Sequence, residues 1–240
     1  MRILLVASTT EVIGKTLDYL KENWEKENFF TYRKGEHSIT HLVTGIGSMH
    51  ASFAVARQQD IEEYDILVNP GVAAALSRTM DLNRVYLIEK DRIGDLGLER
   101  SNGDFQDLHD LQWVDPNQYP YFKSALVPKK LHNPTFLPTC SAITVNKLPG
   151  HYLSIENFER KYHVDIVSLD AGAVLYASRM LQLETIQFRV VTKYIEAGDK
   201  QNGDIEQALN QLSMRTIDVL KALVKPKNKE DNNSLMDLFN

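Results

Sequence analysis

The sequence is poor in the residues that staple or anchor a chain. It holds one cysteine, Cys140, which excludes an intramolecular disulfide framework and a cysteine-built zinc centre. The early apolar run, residues 3–7, is too short for a signal h-region and far too short to span a bilayer. No membrane association is therefore expected, and a cytoplasmic location is. Basic residues are not in excess, since 27 Lys and Arg stand against 32 Asp and Glu, a net charge of −5 with histidines neutral. That balance argues against a general nucleic-acid binder, which needs a basic face to displace counterions from phosphates. Internal repeats, a Gly-x-Ser-x-Gly nucleophile elbow and a His-Glu-x-x-His pair are all missing, and the seven histidines fall at no metal-ligand spacing. No metal site is expected.

What remains is a chain of 240 residues, 43% hydrophobic and 25% charged, long enough to bury a sizeable core. Short apolar runs alternate with amphipathic segments along its length. The runs predict strands over 2–7, 66–69, 85–89, 138–145, 165–167 and 186–191, with extended segments near 31–32 and 39–43. Helices are predicted over 11–24, from Ile13, Leu17 and Leu20, and over 49–59, 154–162 and 171–180. A closing helix over 204–224 carries Ile205, Leu209, Leu212, Ile217 and Leu220. This alternation points to a single α/β domain over residues 1–224 with a largely parallel sheet, followed by a polar tail, 225–240, expected to fray. Residues 91–138 break the rhythm. Rich in Asp, Gly, Asn, Pro and aromatics, they read as an excursion of loops and short turns. Its Phe105, Trp113, Tyr119, Tyr121 and Phe122 suit an interface or a lid as well as a self-packed surface loop.

In open α/β sheets ligands gather beyond the carboxyl ends of strands. Four such ends stand out. After the first strand comes Ser8-Thr9-Thr10-Glu11, where Glu11 is either a general base on water or an acidic first-turn residue favoured by the helix dipole. Thr44-Gly45-Ile46-Gly47 and Asn69-Pro70-Gly71-Val72-Ala73-Ala74-Ala75 are runs of small residues that let a ligand approach the backbone. The first is no dinucleotide fingerprint, because it lacks the full Gly-x-Gly-x-x-Gly and does not follow the opening strand. Tyr86–Lys90 and Tyr119–Lys123 match Tyr-x-x-x-Lys, but one lies in a strand and the other contains Pro120, so an oxidoreductase reading is weak. The fourth end is Ser168-Leu169-Asp170-Ala171-Gly172, beside Thr192-Lys193 of the next strand. There Asp170 is either an acceptor for a ribose diol or a helix N-cap.

Taken in order, these pieces resemble the purine nucleoside phosphorylase/nucleosidase superfamily, in particular its hydrolase branch of methylthioadenosine/S-adenosylhomocysteine nucleosidases and futalosine hydrolases. The resemblance runs from Met1 to about Leu223. It covers the acid after the first strand, the Thr-Gly-Ile-Gly turn, and Asp65-Ile66-Leu67-Val68-Asn69-Pro70-Gly71-Val72-Ala73 leading toward a Gly-x-Ala-Gly-like turn. Asp91-Arg92-Ile93-Gly94-Asp95-Leu96-Gly97 and Ile143-Thr144-Val145-Asn146 are similar to futalosine hydrolase segments. Ser168-Leu169-Asp170 stands where that branch has Ser-Met-Glu, and Phe188-Arg189-Val190-Val191-Thr192 matches the strand that carries the final catalytic residue.

The resemblance implies one domain on a mixed central sheet flanked by helices, no cofactor, a small-molecule nucleoside as partner, and a homodimer. It implies hydrolysis of an N-glycosidic bond, most like that of futalosine in menaquinone biosynthesis. Glu11 would handle the attacking water, Asp170 the ribose hydroxyls, and Val72, Ala73, Ala74, Ser168, Leu169 and Thr192 the remaining contacts. Phosphorolysis is disfavoured because no arginine-rich phosphate cradle is visible, and Arg189 reads as structural. The chain departs from the pattern at Ala74 (family Gly), Leu169 (Met), Asp170 (Glu) and Lys193 (Asp or Asn). Lys193 admits three roles: a proton donor to the leaving base, a ligand for an anionic or carbonyl group, or an ion-pair partner of Glu11 or Asp170 that silences the site. The last role belongs to the alternative function, a nucleoside-binding protein that has lost the reaction.

Overall fold

A computed structural model describes residues 1–196 and 203–225. The chain opens with β1 (Arg2–Ala7) and α1 (Thr10–Asn23), followed by three strands, β2 (Glu25–Lys26), β3 (Thr31–Lys34) and β4 (His37–Val43). Helix α2 (Ser48–Arg57) leads to two long strands, β5 (Ile66–Ala75) and β6 (Val85–Ile93). Two hairpins follow, β7 (Gly97–Glu99) with β8 (Phe105–Asp107), and β9 (Tyr121–Phe122) with β10 (Ala125–Leu126). The last part alternates as β11 (Thr139–Thr144), α3 (Tyr152–Tyr162), β12 (Ile166–Ser168), α4 (Ala171–Met180), β13 (Glu184–Tyr194) and α5 (Ile205–Leu223).

Strand β1 shows why this is a layered α/β fold. Its apolar run has no polar side, so it needs cover on both faces. Ile3, Leu5 and Ala7 pack with Ile13, Leu17 and Leu20 of α1 and with Leu212 and Leu220 of α5. Leu4 and Val6 pack on the opposite face with Ala51 and Val55 of α2 and with Val174 and Ala177 of α4. Each Leu or Ile buried this way contributes roughly 1.5–3 kcal/mol.

The sheet is mixed. β1 lies between β4 and β5, parallel to both. β5 then changes neighbours along its length: Ile66–Val68 pairs with β1, whereas Ala74 and Ala75 pair antiparallel with β12. Pro70, which has no N–H to donate, falls in the interval between those two partners. β13 runs parallel to β5 over its whole length and antiparallel to β6, closing a ring of β5, β12, β11, β6 and β13. The mouth of that ring is where the carboxyl ends of β5 and β13 meet β12 and α4.

Two expectations need correction. Residues 69–75 form no turn; they continue β5 because β13 offers them a complete set of backbone partners. The stretch from 91 is not all loop, since β6 runs on to Ile93 and Leu126 of β10 pairs with Asp91, extending the central sheet. Its aromatics divide. Tyr119 donates its hydroxyl to the Arg179 carbonyl, and Tyr121 stacks edge-on to His109 at 4.9 Å, while Trp113 and Phe122 face solvent. Apart from Lys225, the polar tail lies outside the described residues. Among the described residues no helix is long and apolar enough to cross a membrane.

Candidate active site

A cavity of about 380 Å³ opens at the mouth of the ring. All nine residues singled out from the sequence line it: Glu11, Val72, Ala73, Ala74, Ser168, Leu169, Asp170, Thr192 and Lys193. Ser8 and Thr9 join Glu11 on one side, and Val12, Ile46, Leu148, Val167, Ile205 and Leu209 supply apolar wall. Polar groups converging in an apolar hollow are the usual form of a small-molecule site.

Each wall is placed by local structure. Glu11 sits in the first turn of α1, directly beyond β1, where the helix dipole favours a carboxylate. Its side chain is solvent-exposed, and hydrogen bonds from the Thr9 side chain and from its own backbone N–H hold its pKa below the usual value. Glu11 is therefore ionised at neutral pH. Thr44–Gly47 makes the expected turn into α2, with Gly45 and Gly47 at φ of +88° and +99°, a region that side-chain-bearing residues resist. In β13 the pairing with β5 slips between Val191 and Lys193, so that Val191 faces Ala73 and Lys193 faces Ala74. This irregularity breaks the two-residue alternation, and consecutive residues Thr192 and Lys193 both line the cavity. The Thr192 hydroxyl donates to the Ala73 carbonyl at 3.2 Å, locking the two strands at that point.

Asp170 stands at the N-cap position of α4 but makes no cap hydrogen bond with its side chain. Instead its Oδ1 accepts from Arg189 Nη2 at 3.2 Å. Arg189 is fully buried beneath the cavity floor, where it also donates to the Asn69 carbonyl and to Asn69 Oδ1 at 2.9 and 2.8 Å. Asn69 in turn donates to the Val6 carbonyl at 2.7 Å, and Gln187 bridges Asn69 Oδ1 and the Ala171 carbonyl at 2.9 and 2.6 Å. Gly71 is required here: a Cβ at that position would stand 2.7 Å from the guanidinium. Arg189 is thus structural, as its place in the strand suggests, and it also braces Asp170.

A second acid completes the floor. Asp91 is fully buried, accepts from the Thr144 hydroxyl at 3.1 Å, and lies beside the N-terminus of α4. Thr144 also accepts from the Gly172 N–H at 2.7 Å and stands 3.3 Å from the Ser168 hydroxyl. Burial pushes the Asp91 pKa up to about 7, against the opposing pull of Thr144 and Arg189 and with help from the neighbouring Asp170 charge.

The Lys193 side chain pairs with neither Glu11 nor Asp170; among the described residues its ammonium makes no hydrogen bond or ion pair. The ion-pair role is therefore not what the structure contains. Among the described residues no three His, Cys, Asp or Glu side chains are grouped to hold a metal. Sequence reasoning passed over Asn69, Asp91 and Gln187. Their signal is a polar residue inside an otherwise apolar strand, as in Ile66-Leu67-Val68-Asn69 and Ile186-Gln187-Phe188.

No protein-family model matches the chain, and no curated protein matches it by sequence. Solved structures do match. A methylthioadenosine/S-adenosylhomocysteine nucleosidase of Campylobacter jejuni superposes with a TM-score of 0.73 at 16% identity, over 93% of this chain and 98% of that one. Futalosine hydrolase of Helicobacter pylori gives 0.71 at 12% identity, over 93% and 97%. The chain has the nucleosidase fold. A Streptococcus pneumoniae methylthioadenosine/S-adenosylhomocysteine nucleosidase, solved with a transition-state inhibitor, shares that fold at 17% identity and a TM-score of 0.65, over 92% and 97%. The single α/β domain with a mixed, helix-flanked sheet expected from the sequence is thus the one observed. Within the nucleosidase fold of this chain, the ring mouth gathers Glu11, Asp170 and Lys193 from three separate segments.

Proposed function

We propose that the cavity binds a purine nucleoside and hydrolyses its N-glycosidic bond. The observation that carries this reading is the meeting of Glu11, Asp170 and Lys193 in one largely apolar hollow of nucleoside size. Cleavage of the C1′–N9 bond leaves positive charge on the sugar and an electron pair on the base. Ionised Glu11 stabilises the cationic sugar and takes the proton that water releases as its oxygen bonds to C1′. Asp170 accepts from the ribose hydroxyls. One of its oxygens is held by Arg189, and the other has no hydrogen-bond partner among the described residues. Leu169, Val72, Ala73 and Ala74 shape the pocket around the sugar and base, with Ser168 and Thr192 at its polar seams. Lys193 donates to the departing base, returning the charge balance at the other end of the bond.

The segments 91–97 and 143–146 favour a futalosine-type substrate, and the reaction needs neither metal nor organic cofactor. The enzyme acts as a cytoplasmic homodimer in this reading, with solvent-facing Trp113 and Phe122 supplying apolar contact surface. Residues 1–224 form the working domain and 225–240 an appendage. The second reading, a nucleoside-binding protein without turnover, rests on the cation at Lys193.

Incubation with futalosine, methylthioadenosine and inosine, with and without phosphate, tests the proposal by chromatography of the free base. Release from at least one of them in the absence of phosphate is expected. Measurable binding with release from none would establish the second reading instead.

A further inference from the structure

The proposed reaction gives Asp91 no part, yet two hydroxyl groups join this buried acid to the cavity. Its Oδ2 lies 3.1 Å from the Thr144 hydroxyl, and Thr144 lies 3.3 Å from the hydroxyl of cavity-lining Ser168. The first two N–H groups of α4 join the same chain. Gly172 donates to Thr144 Oγ1 at 2.7 Å, and Ala171 donates to Ser168 Oγ at 3.3 Å. A helix N-terminus leaves such donors without partners inside the helix, and an N–H can only donate, so both bonds are fixed in direction.

A hydroxyl has one proton to give and two lone pairs to fill. Gly172 occupies one lone pair of Thr144. Of its two other neighbours, Thr144 must therefore donate to one and accept from the other. When Asp91 is ionised, Thr144 donates to it and accepts from Ser168, whose proton is thereby engaged. When Asp91 is protonated on Oδ2, the acid donates to Thr144 and Thr144 donates to Ser168. Thr144 and Ala171 then fill both lone pairs of Ser168, and its proton is left for an acceptor in the cavity.

Both states of the acid are within reach. Asp91 Oδ1 has no hydrogen-bond partner, and Arg189 directs its own bonds to Asn69, Phe188 and Asp170. The titratable groups facing Asp91 are Arg189 of β13, Asp170 ahead of α4 and Cys140 of β11, while β10 sets apolar Leu126 against it. Burial outweighs the pull of Thr144 and Arg189 and pushes the carboxyl up to about 7.

We propose that Asp91 is a positioning residue acting through Thr144, and that its proton sets whether Ser168 donates to a ligand in the cavity. The effect on binding rests on the nucleoside reading of the site; the relay itself does not.

The amide NMR shifts of Ala171 and Gly172 in the ligand-free chain read the relay, because these N–H groups donate to its two hydroxyls. Both are expected to titrate together with a midpoint of about 7 in the wild type and to stay flat in Asp91→Asn. Calorimetry with formycin A and formycin B, C-nucleosides whose C–C bond to the sugar resists hydrolysis, reads the consequence. Binding is expected to be about threefold to tenfold tighter at pH 6 than at pH 8, with protons taken up near pH 7. No histidine lines the cavity among the described residues, and Glu11 is ionised throughout this range. Asp91→Asn, whose amide donates to Thr144 as the protonated acid does, keeps the tighter affinity at both pH values. Thr144→Val and Ser168→Ala, which break the chain, remove the pH dependence. Thermal melts confirm that the variants fold, and the wild-type comparison needs no variant. Flat amide shifts in the wild type overturn the proposal, as does equal affinity at the two pH values or a pH dependence that survives in Ser168→Ala. Titrating amides in a chain that binds neither formycin leave the relay standing and remove the nucleoside reading instead.

Discussion

The floor and the rim of the cavity are built on opposite principles. Beneath the surface, Asn69, Gln187, Arg189, Asp170, Asp91 and Thr144 form a buried network joined by hydrogen bonds within the protein, in which Asp91 Oδ1, Gln187 Oε1 and Arg189 Nε have no partner. At the rim, Glu11 is exposed and the Lys193 side chain has no hydrogen-bond or ion-pair partner among the described residues. Buried hydrogen bonds are costly to break, so the network holds one geometry. A rim group without a protein partner keeps its hydrogen-bonding capacity for a ligand. The contrast separates the residues that position from those that react, and it places Asp170 at the join, with one oxygen on each side.

Substitutions on the two sides should therefore fail differently. The largest effect belongs to the rim: Glu11→Gln is expected to lower kcat by about 10²–10⁴-fold while leaving the melting temperature nearly unchanged, read by base release and calorimetry. A variant that retains full rate would remove Glu11 from the chemistry. Next comes the floor. Arg189→Met strips the partner from Asp170 and from Asn69, and is expected to cost about 3–5 kcal/mol of stability in a denaturant titration.

Asp91 gives a pH-dependent effect of intermediate size. Its pKa in the folded chain, about 7, lies above the ordinary 3.8. Between those values the unfolded chain releases a proton that the folded chain keeps, so this group's contribution to stability falls as pH rises to about 7 and is level above it. Asp91→Asn removes the titration. The melting temperature of the variant relative to wild type should climb between pH 5 and pH 8; a constant difference would mean that the carboxyl titrates normally. The smallest expected effect is that of Ala74→Gly, about 0.5–1 kcal/mol of stability from added backbone freedom in β5, with binding little altered.

The same division explains what the sequence could reveal. Rim residues sit just past apolar runs, at strand ends, where a reader of sequence looks for chemistry, and Glu11, Asp170 and Lys193 were found there. β1 and α4 have the bounds expected, because a continuous apolar run and an N-terminal Asp leave little latitude. The floor was harder. That Arg189 meets Asp170 depends on the register of β13 against β5 and on the absence of a side chain at Gly71, which are relations between distant segments. The resemblance implies a turn within 69–75, yet β13 pairs along all of it and makes it strand. In the 91–138 stretch the strands are two or three residues long, below the length at which alternation can be detected.

The central claim is that water attacks C1′ of a bound nucleoside inside this cavity. A single-turnover reaction with inosine in ¹⁸O-labelled water, free of phosphate, tests it most directly. The account predicts free hypoxanthine together with ribose carrying one ¹⁸O at C1. Inosine, methylthioadenosine and futalosine all left intact after prolonged incubation at saturating protein, or cleavage that occurs only when phosphate is added and yields a sugar 1-phosphate, would contradict it.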